Sequence, residues 1–248
     1  MKDKKRPGRR LLILVRRIGR NESTTLLLLL MVVGLTWAFV AIADEVVEGE
    51  TRSFDRWLIL ALRNPRDAND PLGGRWLEEL FRDITALGSN GVLALITLSV
   101  IGYLLLYRKL RTAALMMVSI AGGTILSYGF KTVVGRPRPD LISHDFFVST
   151  ASFPSGHATM AAVTYLTLGA LLARIHPEPR VKAYFLLLSM VITLIVGASR
   201  VYMGVHWPTD VLGGWTLGTA WALLCWLVAR WLQRRGRMEP EGQVPERE

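Results

Sequence analysis

Three short stretches of this chain carry residue types able to handle a phosphate. The first runs from Lys131 through Arg136 and Arg138 to Pro139, the second is Pro154-Ser155-Gly156-His157, and the third runs from Ser199-Arg200 to His206 and Asp210. Each lies beside an apolar run of membrane length, where a charge is expensive and marks a functional site by default. Ser155-Gly156 stands where a helix begins, and a helix N-terminus offers unpaired N–H groups and a positive dipole end to an anion. Gly156 would let the backbone approach closely; a plain Ser N-cap is the competing role for Ser155. His206 and Asp210 are four apart, hence stacked on one helical face. A carboxylate on Nδ1–H fixes the tautomer and leaves Nε2 as a directed nucleophile or base, although Asp210 would also suit an ordinary first helical turn. Lys131, Arg138 and Arg200 complete the set, because phosphoryl transfer demands fixed positive charge around the equatorial oxygens more than covalent chemistry. Any one of them alone would pass for a snorkelling interfacial cation. Together they describe a phosphate cradle with a nucleophile inside it.

The elements that must position these residues are membrane spans. The chain has 248 residues, 51% of them hydrophobic, and a mean hydropathy of +0.32, and a span needs about 20 mostly apolar residues. Six candidates emerge: Thr24–Ala43, Thr85–Tyr107, Ala113–Phe130, Ala158–Ala173, Ala183–Ala198 and Val211–Trp231. The expected fold is therefore all-α, a six-span transmembrane helical bundle. The connection over 44–84 is the longest, and Asn64-Pro65, Asp70-Pro71 and Gly73-Gly74 break it. Within it, Trp76, Leu77, Leu80, Phe81 and Ile84 recur at helical spacing, and Phe54–Leu62 suggests a second short helix. An interfacial helical segment between spans one and two follows, either lying in the outer interface or packed on the bundle. Gly214-x3-Gly218 and Gly122-Gly123 predict close helix approach.

Charge orients the chain. With an inside N-terminus, 20 of the 30 Lys and Arg fall in inner segments: residues 1–20, Arg108 to Arg111, Arg174 to Lys182, and the tail from Arg230. That is the positive-inside bias, and it accounts for the net charge of +10 better than a nucleic-acid surface does. The same alternation puts residues 131–157 and 199–210 together on the outer side, with both termini cytoplasmic. The first span starts late and is followed by Asp44-Glu45, so it reads as an anchor and not a cleavable signal peptide. The expected organisation is a basic N-terminal segment over 1–23, a six-helix membrane domain over 24–232 and a polar, disordered tail over 233–248. Cys225, the one cysteine, reads as a packing residue; His144 and His176 read as structural or solvated. The oligomeric state is not written in these features.

The three stretches resemble the type 2 phosphatidic acid phosphatase superfamily, whose pattern is K-x6-R-P, P-S-G-H and S-R-x5-H-x3-D. Lys131 to Arg138-Pro139, Pro154 to His157, and Ser199-Arg200 to His206 to Asp210 match every specified position and spacing. The resemblance implies that His206 attacks phosphorus to form a phosphohistidine, that Asp210 orients it, and that His157 protonates the departing oxygen and then activates water. It implies that Lys131, Arg138, Arg200, Ser155 and the Gly156 amide hold the phosphate. Arg136 lies outside the pattern and is expected only to shape the entrance. No metal or other cofactor is expected, since carboxylates near the motifs are few and no His/Cys cluster has ligand spacing; the cations substitute for magnesium.

By the same resemblance the substrate is a membrane lipid, with undecaprenyl diphosphate the leading expectation and phosphatidylglycerol phosphate, phosphatidate and lipid A phosphates behind it. A lipid phosphotransferase, in which an acceptor hydroxyl replaces water, is a second enzymatic expectation. A small membrane transporter is the alternative from another class, and the broken central helices and midplane charges of transporters are not seen in the sequence. The expected location is a bacterial inner membrane, with the site facing the periplasm or cell exterior.

Overall fold

The computed structural model describes the backbone of residues 7–141 and 150–236, and the side chains of residues 22–141 and 150–236. In chain order the elements are α1 (Pro7–Glu48), α2 (Arg52–Ala61), β1 (Arg63–Asn64), β2 (Asp67–Pro71), α3 (Arg75–Ala86), α4 (Asn90–Leu106), α5 (Leu110–Val134), α6 (Gly156–Ile175), α7 (Pro179–Tyr202) and α8 (Pro208–Arg234). Glu22–Glu48 of α1 and the whole of α5, α6, α7 and α8 are long and apolar enough to cross a membrane. α3 and α4, bent by 46° at the break between them, bring the number of candidate spans from five to six when the pair is counted as one. The chain is thus a multi-pass, all-α membrane protein.

Three features depart from the pattern read in the sequence. The second span is not continuous from Thr85: the helix stops at Ala86 and restarts at Asn90, where the Ser89 side chain accepts a hydrogen bond from Val92 N–H. Gly88-Ser89-Asn90-Gly91 is a run of turn formers that marks the break in the sequence, and a span drawn by average hydropathy passes over it. The anchor is not separate from the basic segment before it, since α1 is helical from Pro7 to Glu48 without interruption. The 44–84 connection also holds a small antiparallel hairpin, β1–β2, between the two expected short helices. Arg63 on β1 is buried and donates from Nη2 to the Tyr202 carbonyl at 2.6 Å, and Tyr202 Oη donates to the Leu72 carbonyl at 3.0 Å. The hairpin is tied in this way to the end of α7.

α6 and α8 form the core. Ala158, Ala161 and Ala162 are completely buried on α6, and the facing glycines of α8 let the two backbones close. A Cβ on Gly214 would lie 2.8 Å from the Ser155 carbonyl oxygen, and one on Gly218 would lie 2.5 Å from that of Thr159. A Cβ on Gly122 would stand 2.1 Å from Trp221 and one on Gly123 2.9 Å from Val163, as expected of small residues where membrane helices pack. α1 is peripheral: Leu27, Leu30, Val33 and Trp37 are exposed, while Phe39 is buried against Phe153 and Leu217. α3 lays Phe81 over Tyr202 of α7, ring centroids 4.2 Å apart.

Candidate active site

The candidate residues converge at one end of the bundle because their elements start or stop there. α5 ends at Val134, closed by Gly135 in the left-handed conformation (φ 60°) with its N–H on the Lys131 carbonyl. α6 begins at Gly156, α7 ends at Tyr202, and α8 begins at Pro208. The Ser155 N–H donates to the Asp210 carbonyl at 2.9 Å, which locks the first turns of α6 and α8 together.

His206 lies between α7 and α8 and is almost wholly buried, 2% exposed. Its Nδ1 faces Asp210 Oδ2 at 3.4 Å and Ser152 Oγ at 3.2 Å; its Nε2 faces Arg138 Nη1 at 3.3 Å. Since a guanidinium only donates, Nε2 is the acceptor and the ring proton belongs on Nδ1. Burial drives the imidazole's pKa from 6.5 down to about 4, against the raising influence of Asp210 and with a smaller lowering one from Arg138 and Arg200. The ring is therefore neutral, with a lone pair on Nε2.

Arg138 is positioned by three further bonds: Nε to the Thr150 carbonyl at 3.1 Å, Nη1 to the Val205 carbonyl at 2.9 Å and Nη2 to Thr150 Oγ1 at 3.2 Å. Lys131 Nζ donates to the Ala151 carbonyl at 2.6 Å, and its Cε would touch a Cβ on Gly156 at 3.7 Å. Arg200 Nη1 donates to Thr85 Oγ1 at 2.9 Å, so α3 steadies it. His157, second in α6, interacts electrostatically with Arg200, His206, Arg138 and Lys131. The α3–α4 break covers it, for a Cβ on Gly88 would come within 3.2 Å of its Cδ2. Two polar atoms of the cluster, Ser155 Oγ and Arg200 Nε, are buried and have no hydrogen-bond partner among the described residues. Ser155 makes no side-chain capping bond, so the N-cap role does not account for its hydroxyl, whereas an oxyanion would engage both donors.

All eight candidate residues, seven by side chain and Gly156 by its backbone, thus occupy one end of the fold. Sequence reasoning missed four others. Arg136, expected at the entrance, is instead buried (9% exposed) and paired with Asp55 Oδ2 at 2.6 Å and Asp210 Oδ1 at 2.7 Å. Its guanidinium also lies 5.5 Å from the Trp207 ring. The physical reason is that two buried carboxylates require a cation, and Arg136 is the one that reaches both. Asp55 sits on the inner face of α2, Thr209 in the first turn of α8, and Ser152, whose hydroxyl donates to Asp210 Oδ2, in the α5–α6 connection. The doubled Arg-Pro over 136–139 and the single acid in α2 were the only signals available. Away from this end, His176 stacks on Phe185 with centroids 5.4 Å apart, and Cys225 is buried; His144 lies outside the described residues.

Comparison with known proteins gives the chain's relatives. A family model described as PAP2 superfamily matches residues 112–234, which span the three motif stretches. Phosphatidylglycerophosphatase B of Bacillus subtilis is 36% identical over 146 residues, 58% of this chain and 70% of that protein. Undecaprenyl-diphosphatase of Sulfolobus acidocaldarius is 29% identical over 122 residues, 47% of this chain and 55% of that one, so the match spans about half its length. Among solved structures, the transmembrane PAP2-type phosphatidylglycerolphosphate phosphatase from Bacillus subtilis superposes with a TM-score of 0.71 at 29% identity, covering 82% of this chain and 98% of the other. With its three motif stretches meeting at the ends of α5 to α8 and a relative matched over most of its length, this chain belongs to the PAP2 superfamily.

Proposed function

We propose that this chain is an integral membrane lipid phosphatase working through a phosphohistidine. The observation that carries the reading is the environment of His206: a buried, neutral imidazole with Asp210 and Ser152 on its Nδ1 side and the Arg138 guanidinium 3.3 Å from Nε2. In the first step Nε2 attacks phosphorus, and the bond from phosphorus to the lipid oxygen breaks. His157 gives that oxygen its proton. In the second step His157 takes a proton from water, the water oxygen attacks phosphorus, and His206 departs with its electron pair restored. Lys131, Arg138, Arg200, the Ser155 hydroxyl and the Gly156 amide hold the phosphate oxygens throughout, supplying the positive charge that phosphoryl transfer requires without calling on a metal ion. Asp210 keeps the proton on Nδ1 and stabilises the charge that grows on the ring.

The substrate is a phosphate or diphosphate ester of a lipid. The relatives named for phosphatidylglycerol phosphate cover more of this chain, 58% and 82%, than the two named for undecaprenyl diphosphate, 47% and 34%, which makes phosphatidylglycerol phosphate the first lipid to assay and undecaprenyl diphosphate the second. The catalytic unit is the six-helix region over 24–232, flanked by a basic segment and a polar tail on the cytoplasmic side. The site faces the periplasm or cell exterior.

Rapid-quench labelling with an activated aryl phosphate tests the roles. His206→Ala should form no phosphoenzyme and should lower turnover by several powers of ten. His157→Ala should still be labelled, because an activated leaving group needs no proton, and should then hydrolyse slowly so that label accumulates. A phosphoenzyme persisting in His206→Ala, or no phosphate release from any lipid of a panel holding both candidates and phosphatidate, would overturn the reading.

A further inference from the structure

Both oxygens of Asp210 are occupied, and only one of them by the histidine's side of the site. Oδ2 accepts from the Trp207 N–H at 2.9 Å and from the Ser152 hydroxyl, and faces His206. Oδ1 accepts from Arg136 Nη1 at 2.7 Å. The other end of that guanidinium, Nη2, donates to Asp55 Oδ2 at 2.6 Å and to Thr51 Oγ1 at 3.2 Å, both contributed by the start of α2. Asp55 closes the ring: its Oδ1 accepts the Thr209 N–H at 2.9 Å and its Oδ2 the Thr209 hydroxyl at 2.7 Å, while that hydroxyl accepts from Arg136 Nη1 at 2.8 Å. Asp55 and Asp210 are wholly buried.

A buried ion pair is a poor device for stability alone, since apolar side chains of equal volume often serve as well. This one ends on the candidate nucleophile's partner. Pinning Oδ1 fixes the plane of the Asp210 carboxylate and leaves Oδ2 directed at His206. Sharing one guanidinium between two carboxylates also leaves the trio with a net negative charge. With Asp55 neutral, Arg136 would belong to Asp210 alone and cancel the charge that the imidazolium-like phosphohistidine needs nearby.

We propose that Asp55 and Arg136 are positioning residues for the His206–Asp210 pair, acting from the interfacial helix α2. The proposal rests on His206 being the nucleophile. It makes α2, whose outer face presents Phe54 and Trp57, part of the catalytic apparatus without touching the phosphate.

The test uses the full-length protein, an activated aryl phosphate and rapid quench, with Asp55→Asn, Asp210→Asn, the double variant and His206→Ala. Asp55→Asn should slow phosphoenzyme formation ~10- to 100-fold, the size of one hydrogen bond to a charged group. KM and inhibition by inorganic phosphate should stay within about threefold, because the cradle is untouched. In the Asp210→Asn background the same change should cost less than about twofold, because residues acting through one another are not additive. Arg136→Lys, which keeps the charge, should recover part of the rate lost in Arg136→Gln. An unslowed Asp55→Asn, a rate loss matched by weaker phosphate inhibition, or effects of Asp55→Asn and Asp210→Asn that multiply would each overturn the proposal. If Asp55→Asn does not accumulate as folded protein, Thr209→Val, isosteric and uncharged, is judged by the same criteria. His206→Ala separates the two claims: label retained there sinks the nucleophile assignment, whereas its loss beside an unslowed Asp55→Asn sinks only the positioning role.

Discussion

His206 shows how burial selects a protonation state. Its surroundings hold a carboxylate that favours the imidazolium and arginines that oppose it, and desolvation outweighs both, leaving a pKa of about 4. In the proposed mechanism the neutral form attacks phosphorus, which predicts that the acid limb on kcat/KM lies near pH 4 and not near the ordinary histidine value of 6.5. A pH series with a substrate whose own ionisation is measured separately checks this, and an enzyme limb at 6.5 would contradict it. The stability consequence has a definite sign. The unfolded chain binds a proton at this residue below pH 6.5 while the folded one resists until about 4. The contribution is therefore complete above 6.5 and is lost as the pH falls through that window. Arg138, 3.3 Å from Nε2, also has its pKa lowered by burial and partly restored by Asp210.

At the scale of elements, the site depends on how closely α8 lies against α6. The Ser155 N–H to Asp210 carbonyl bond joins their first turns, and Gly214 lies one turn further along α8. A Cβ there would stand 2.8 Å from the Ser155 oxygen, 2.9 Å from Ala158 Cβ and 3.1 Å from Thr159 N. Backbone cannot yield cheaply, so Gly214→Ala should destabilise the protein by about 1–3 kcal/mol through overpacking and should separate Ser155 from Asp210. Among the described residues nothing lies within 4 Å of a Cβ placed on Gly129 in α5. Gly129→Ala should consequently be neutral or stabilising by up to about 1 kcal/mol, the helix propensity difference. Thermal unfolding in detergent and phosphate release on both variants decide the matter. Equal behaviour of the two would show that the α6–α8 contact does not set the site.

For the whole molecule, orientation follows from charge and span count together. The helices supply six crossings when α3 and α4 are taken as one, and an even number puts both ends of the bundle's chain on one side. The concentration of Lys and Arg before the first span, between the second and third, between the fourth and fifth, and after the last predicts that side to be the cytoplasm. Reporter fusions after Arg111 and after Leu141 should therefore report opposite sides, with the second outside. Fusions that both report cytoplasm would remove the outward-facing site.

The motif residues, their spacing and the six apolar runs were legible in the sequence because each is a local pattern. The spacing of four brought His206 and Asp210 together in the sequence, but not through the expected shared helical face: His206 stands ahead of α8, before its Trp207 N-cap, and its ring meets Asp210 in the first turn from the loop. A span declares itself by length and hydropathy. The short helices α2 and α3 were legible for the same reason, through periodicity. What depends on contacts between distant segments was not. Asp55 and Arg136 are 81 positions apart, and in isolation Asp55 is an ordinary polar residue in the first turn of an amphipathic helix. Only the seating of α2 on α8, with Ile59 against Ala158 and Val211, turns its carboxylate inward. Ser152 is a loop serine until the chain folds it between His206 and Asp210. The break at Ala86 to Asn90 was written locally as Gly88-Ser89-Asn90-Gly91; drawing the span by average hydropathy passed over it, because hydropathy measures partition into lipid and is blind to whether the backbone bends. Local chemistry is carried by residue type and spacing; which buried charge answers which is decided by packing, since the cost of leaving a carboxylate unpaired exists only once the fold has removed its water.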